Sequence, residues 1–151
     1  MSVVNTEELK KRLEEEACSR ANYAICERDS DVFCLENQNG TWRIFYTERG
    51  MDQPPLFESQ SESEACEYFF TFMTTKIRHD HLVGYFISLE KAEALAEKLA
   101  QHNIHTFRND IPYHGWHDPR FRVFVIGKDV FKAREILREL PVRDVQVQER
   151  V

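Results

Sequence analysis

From His81 onward the spacing of apolar residues changes repeatedly, from strand period to helix period and back, and few architectures accommodate the order in which it does so. Residues 82–87, 104–109, 121–126 and 143–149 alternate in the manner of strands, whereas 89–102 and 130–140 repeat every three to four positions. Ser88 stands as N-cap of the first of these helices, which would turn Leu89, Ala92, Leu95, Ala96 and Leu99 inward; Asp129 stands as cap of the second, with Val130, Ala133, Leu137 and Leu140 inside. The order β-α-β-β-α-β, with both helices apolar on one side, predicts a four-stranded antiparallel sheet with its helices on one face, the ferredoxin-like arrangement.

The preceding residues follow a different plan. Asn5 and Glu8 form an N-terminal cap pair, and Leu9, Leu13 and Ala17 then recur four apart, so residues 6–20 read as an amphipathic helix. Three β-prone runs follow at 23–27, 32–36 and 42–46, separated by Asp29-Ser30 and by Asn37-Gln38-Asn39-Gly40, which predicts an antiparallel meander. On the third run Trp42, Ile44 and Tyr46 fall on one side and Arg43 and Phe45 on the other, the pattern of a strand covered on both faces. Gly50 and Pro54-Pro55 break the pattern and predict a loop over 47–60, with Glu48 and Arg49 at its start read either as an ion pair that fixes the loop or as part of a recognition surface. Ser61 and Glu64 then cap a second helix reaching about Ile77, with Ala65, Phe69, Phe72 and Met73 on one face. The chain is thus expected to be α+β with a 1–78 half and a 79–151 half packed as one unit. A chain of 151 residues is long enough to bury a real core without metals or disulfides to staple it.

Cys18, Cys26, Cys34 and Cys66 contain no C-x-x-C pair, sit among apolar or element-forming residues and are expected as buried free thiols. The N-terminus turns polar at once and no later run approaches membrane-spanning length, so a cytoplasmic protein without membrane contact is expected. Charge is unevenly placed: residues 1–75 carry 7 Lys/Arg and 15 Asp/Glu, a net of −8, and residues 76–151 carry 13 and 11, a net of +2. Nucleic-acid affinity rests on neutralising phosphate, so this balance argues against nucleic acid as the direct partner; it permits a basic protein partner and equally fits an acidic surface that only aids solubility.

Chemistry-bearing groups are sparse. No G-x-S-x-G elbow and no glycine-rich phosphate loop occurs, so no enzyme and no cofactor is expected. The His79-Asp80-His81 run and the segment Asp110 to Pro119, with His114 and His117, offer imidazole and carboxylate to a metal, but their spacing supplies no convergent set of three or four ligands. His114 and His117 also form a conceivable acid–base pair. The second segment also reads as a binding surface, because Tyr113, His114, Trp116 and His117 crowd a loop tip and aromatic residues dominate interface hot spots, or equally as a loop that folds those aromatics back onto the sheet.

The first half carries a family likeness. Its helix, its hairpin strands, the run G-x-W-R-I-F-Y-T-E-R-G from Gly40 to Gly50, the Pro-containing loop, Phe57-Glu58 and the helix opening S-E-S-E-A-C-E-Y-F-F from Ser61 to Phe70 together resemble small immunity proteins of bacterial polymorphic toxin and contact-dependent growth inhibition systems, over residues 5–75. The resemblance implies binding and neutralisation of a cognate toxin domain, often a basic nuclease, for which an acidic half is electrostatically suited. The residues expected to meet the partner are Glu48, Arg49, Asp52, Tyr113, His114, Trp116, His117 and Asp118. The competing expectation is a small-molecule or metal-responsive regulatory module with a cleft lined by His79, His81 and Tyr85.

Overall fold

The computed structural model describes residues 3–144 and divides the chain into two units, 1–79 and 80–151. The chain is mixed α+β, with four helices and two mixed sheets among the described residues.

In the first unit, helix α1 (Thr6–Glu15) starts where the Asn5 side chain accepts a hydrogen bond from the Glu8 amide at 2.8 Å. It stops short of the expected residue 20 because Ala17 turns to φ 58°, letting the Cys18 amide close back on the Leu13 carbonyl at 2.9 Å. Strands β1 (Tyr23–Ile25), β2 (Phe33–Gln38) and β3 (Thr41–Glu48) follow, then β4 (Met51–Asp52), β5 (Phe57–Ser59) and helix α2 (Glu62–Thr75), which the Ser61 side chain caps at the Glu64 amide. β2 and β3 form the expected hairpin, joined by Asn39-Gly40 at φ 55° and 90°.

Two further expectations for this unit fail. β1 runs parallel to β2, so the meander is not wholly antiparallel. The connection loops out of the sheet with Cys26 and Asp31 at positive φ and is held by buried Thr47, whose hydroxyl accepts from the Val32 amide at 3.3 Å and lies 2.9 Å from the Asp29 carbonyl. The segment 47–60 is also not a plain loop, since β4 and β5 both pair antiparallel to β3, at Thr47–Glu48 and Trp42–Ile44 respectively.

Leu9 and Leu13 from α1, Leu35 and Ile44 from the sheet, and Ala65, Cys66, Phe69 and Met73 from α2 form a core without solvent exposure. A smaller cluster of Ala24, Val32, Cys34 and Phe45 sits apart from it. Ile44 in the first cluster and Phe45 in the second are what strand alternation demands of a strand covered on both sides. Each large apolar side chain so buried contributes roughly 1.5–3 kcal/mol relative to exposure.

The second unit comprises β6 (Asp80–Phe86), α3 (Leu89–Ala100), β7 (Phe107–Arg108), β8 (Ile111–Pro112), β9 (Pro119–Ile126), α4 (Asp129–Leu137) and β10 (Val142–Arg143). Strand order is β10-β6-β9-β7, with β8 pairing to the start of β9. The expected all-antiparallel sheet is instead mixed, because β10 runs parallel to β6. Only Arg143 and Asp144 of the last expected strand are described; 145–149 lie outside the described residues.

Ser88 caps α3 as expected, but Asp129 does not cap α4: Lys128, in helical conformation, holds the cap position and Asp129 instead faces Lys132 at 3.9 Å. The helix ends at Leu137, not Leu140, because Arg138 turns to φ 68°. The strand expected over 104–109 shrinks to Phe107–Arg108, since Ile104 is consumed closing α3 through the Leu99 carbonyl. Buried Val83, Phe86, Val123 and Val125 are the sheet's share of the core and Ala92, Leu95, Leu99, Val130 and Ala133 the helices' share. Gly84 permits the close approach of α3, as a Cβ there would lie 2.6 Å from Leu95 Cδ2. Among the described residues no helix is long and apolar enough to cross a membrane.

Candidate protein-binding surface

The eight candidate residues divide between the units. Glu48, Arg49 and Asp52 sit together on the β3–β4 hairpin of the first, and Tyr113, His114, Trp116, His117 and Asp118 on the β8–β9 hairpin of the second.

The β8–β9 hairpin is short and tightly closed. Ile111 pairs with Arg120 and Pro112 with Pro119, and the two prolines, lacking N–H groups, end the ladder there. Beyond them the Tyr113 amide donates to the Asp118 carbonyl and the Asp118 amide to the Gly115 carbonyl, each at 3.1 Å. Gly115 adopts φ 100°, where a Cβ would meet the His117 imidazole at 3.0 Å.

Side chains lock this turn a second time. The Asp118 carboxylate accepts from His114 Nδ1 at 2.8 Å and from an Arg120 guanidinium nitrogen at 2.7 Å. Arg120, 11% exposed, lies 4.0 Å from the Tyr113 ring centroid, and Tyr113 meets His114 edge-to-face at 4.5 Å. The hydrogen bonds from Arg120 and then from His114 hold the Asp118 carboxyl below its usual range. The outcome is a turn whose polar groups are mutually satisfied while Trp116 is left 67% exposed and Tyr113 49% exposed. A large aromatic presented from a shape fixed in advance loses little side-chain freedom on binding, which is the economy of a hot-spot anchor.

The β3–β4 hairpin turns on Arg49-Gly50, with φ 52° and 78°. Its order comes from elsewhere in the unit. The Arg49 amide donates to Asp31 Oδ1 at 3.0 Å, and Arg28 bridges Asp52 at 2.5 Å and Glu36 at 2.7 Å while lying over the Phe45 ring. Met51, at the tip, is exposed. The anchor of this hairpin is therefore Arg28, not an ion pair between Glu48 and Arg49.

Arg28 and Arg120 are the residues that sequence reasoning missed. Arg120 stands two positions after Asp118, a spacing that puts both on one side of an extended strand; Arg28 gives no comparable signal, because its acids lie 8 and 24 residues away.

The histidine alternative changes character. His79 is buried and both its ring nitrogens are used within the first unit: Nδ1 accepts from the Ser19 amide at 2.9 Å and Nε2 donates to the Met73 carbonyl at 2.8 Å, which ties the end of α1 to the end of α2. His81 pairs with Val125 in the β6–β9 ladder. Among the described residues no three His, Cys, Asp or Glu side chains are gathered for a metal. Of the four thiols expected to be buried, Cys18, Cys34 and Cys66 are, but Cys26 is exposed, because it follows β1 at φ 58° where the chain leaves the sheet. No protein-family model, no curated protein and no solved structure matches the chain.

Proposed function

We propose that this chain is an immunity-type protein that binds a cognate toxin domain in the cytoplasm and blocks it, the toxin being a basic domain such as a nuclease. The observation that carries the proposal is the β8–β9 hairpin, in which Asp118, His114, Arg120 and Tyr113 satisfy one another and leave Trp116 presented to solvent. Such a tip suits a protein surface with a pocket for one large aromatic residue. The likeness of residues 5–75 to immunity proteins supplies the class of partner, and the net charge of −8 on residues 1–75 supplies its sign, since complementary fields speed encounter and reject wrong partners.

The test is photo-crosslinking from position 116 in cells, followed by calorimetry with the purified partner. The expected partner is a basic polypeptide whose expression is toxic and whose toxicity the chain suppresses. Trp116→Ala should weaken binding about 30-fold or more, the effect of removing a hot-spot aromatic. A crosslinked partner whose activity is unchanged by saturating amounts of the chain overturns the proposal.

A further inference from the structure

The outward stripe of α2 sets two acids around an aromatic ring. Glu64, Glu67 and Thr71 lie at three- and four-residue spacing, Tyr68 stands four after Glu64 and three before Thr71, and all are exposed, while Ala65, Phe69 and Met73 turn the opposite face into the core. Tyr68 is an odd residue for a solvent face, and it is not loose there. Its ring stacks on Phe57 at 4.3 Å and 12° and runs parallel to Phe72 at 6.5 Å and 10°. Phe72 in turn meets Phe33 edge-on at 5.0 Å, and Phe57 is fixed by strand pairing opposite Ile44. The ladder of rings is rooted in the sheet, and its outer end forms a shallow groove of about 330 Å³ lined by Phe57, Glu64, Glu67, Tyr68 and Thr71.

Elsewhere several aromatic rings of the chain lie under its own guanidinium groups. Arg12 lies over Phe70, Arg28 over Phe45, Arg108 over Phe121, Arg120 over Tyr113, Arg122 over Phe124 and Arg143 over Tyr85, at 4.0–5.6 Å. Among the described residues the Tyr68 groove has no such cover, although it adds two carboxylates that form no ion pair there. A guanidinium is planar, weakly hydrated, stacks on an aromatic face and donates two parallel hydrogen bonds to a carboxylate, so it fits this groove better than a compact ammonium.

We infer that the Phe57–Tyr68 groove, between Glu64 and Glu67, receives an arginine side chain of a basic polypeptide. The inference deepens the immunity reading and rests on it for the nature of the partner.

The test uses the full chain and a blocked glycine-spaced peptide carrying three arginines, with the same peptide bearing citrulline or lysine in their place. Titration followed by NMR should move the Tyr68 ring resonances saturably with the arginine peptide. Citrulline, which keeps the shape and loses the charge, should bind at least 10-fold more weakly, and lysine should fall between. Glu64→Gln with Glu67→Gln, a surface change that leaves the core untouched, should cost at least 10-fold and flatten the salt dependence. Equal binding of the citrulline peptide, or wild-type affinity in the double variant, overturns the inference. Neither result bears on crosslinking through position 116, so the groove can fail while the immunity reading stands, and the reverse.

Discussion

The two candidate hairpins solve one problem in opposite ways. The β3–β4 turn is held from outside, by Asp31, Arg28 and the Thr47-pinned loop, whereas the β8–β9 turn is held from within, by Asp118 gripping its neighbours His114 and Arg120. A turn tied to remote residues inherits the stability of its unit; a turn closed on itself can keep its shape or lose it alone.

The largest effect that can break this contrast is at Thr47. Thr47→Val keeps the shape but strips the Val32 amide and Asp29 carbonyl of their partner, and should destabilise the first unit by about 2 kcal/mol in urea unfolding. Hydrogen exchange at the Arg49 amide should accelerate with it, while exchange at the Tyr113 amide stays as in the parent. Accelerated exchange at both hairpins would mean that they share one source of order.

A smaller effect sharpens the comparison. Gly50→Ala and Gly115→Ala both place a side chain at positive φ, at 78° and 100°, which costs about 1 kcal/mol by strain alone. Nothing lies within 4 Å of a Cβ at Gly50, whereas at Gly115 the His117 imidazole must shift as well. Gly115→Ala should therefore disturb its own tip, seen as altered Trp116 fluorescence, and Gly50→Ala should be felt in the melting of its unit without change at Trp116.

The least effect on stability and the clearest on motion is expected from Asp118→Asn. Because the folded carboxyl sits below its ordinary value, the contacts are fully formed above an unperturbed Asp pKa of about 3.9 and are lost as pH falls through the lower folded value. Fluorescence anisotropy of Trp116 should therefore drop in acid for the parent. In the variant it should be lower at neutral pH and flat through the same range. A parent profile that stays flat to the point of global acid unfolding would remove Asp118 as the clamp.

Much of the fold was legible because its signals are local. Asn5, Ser61 and Ser88 each cap the helix they precede, and Asn39-Gly40 makes its hairpin, since in each case the group that is satisfied lies within a few residues. The parallel return of β1 was not legible, because Thr47 is 15 residues from the loop position it fixes and nothing near Asp29 announces it. Asp129 looked like a cap because acids favour that position, yet the backbone of Lys128 had already entered the helix. β4 and β5 give no signal in the sequence because two- and three-residue strands are too short to show a period. At the candidate site the aromatic cluster and Asp118 were visible as composition; that Arg120 completes them was not, because composition does not say which side chains meet.

The placement of the four thiols carries an operational consequence. Burial, with the nearby Glu16 charge, pushes Cys18 up to about 11, and burial pushes Cys66 up to about 12, so neither offers thiolate to a reagent while its surroundings are closed. Cys26, at the surface, can be alkylated first and thereby silenced. The slow labelling of Cys18, Cys34 and Cys66 that remains then acts as a stopwatch for the opening of the first unit, timed from inside by residues that need no engineering.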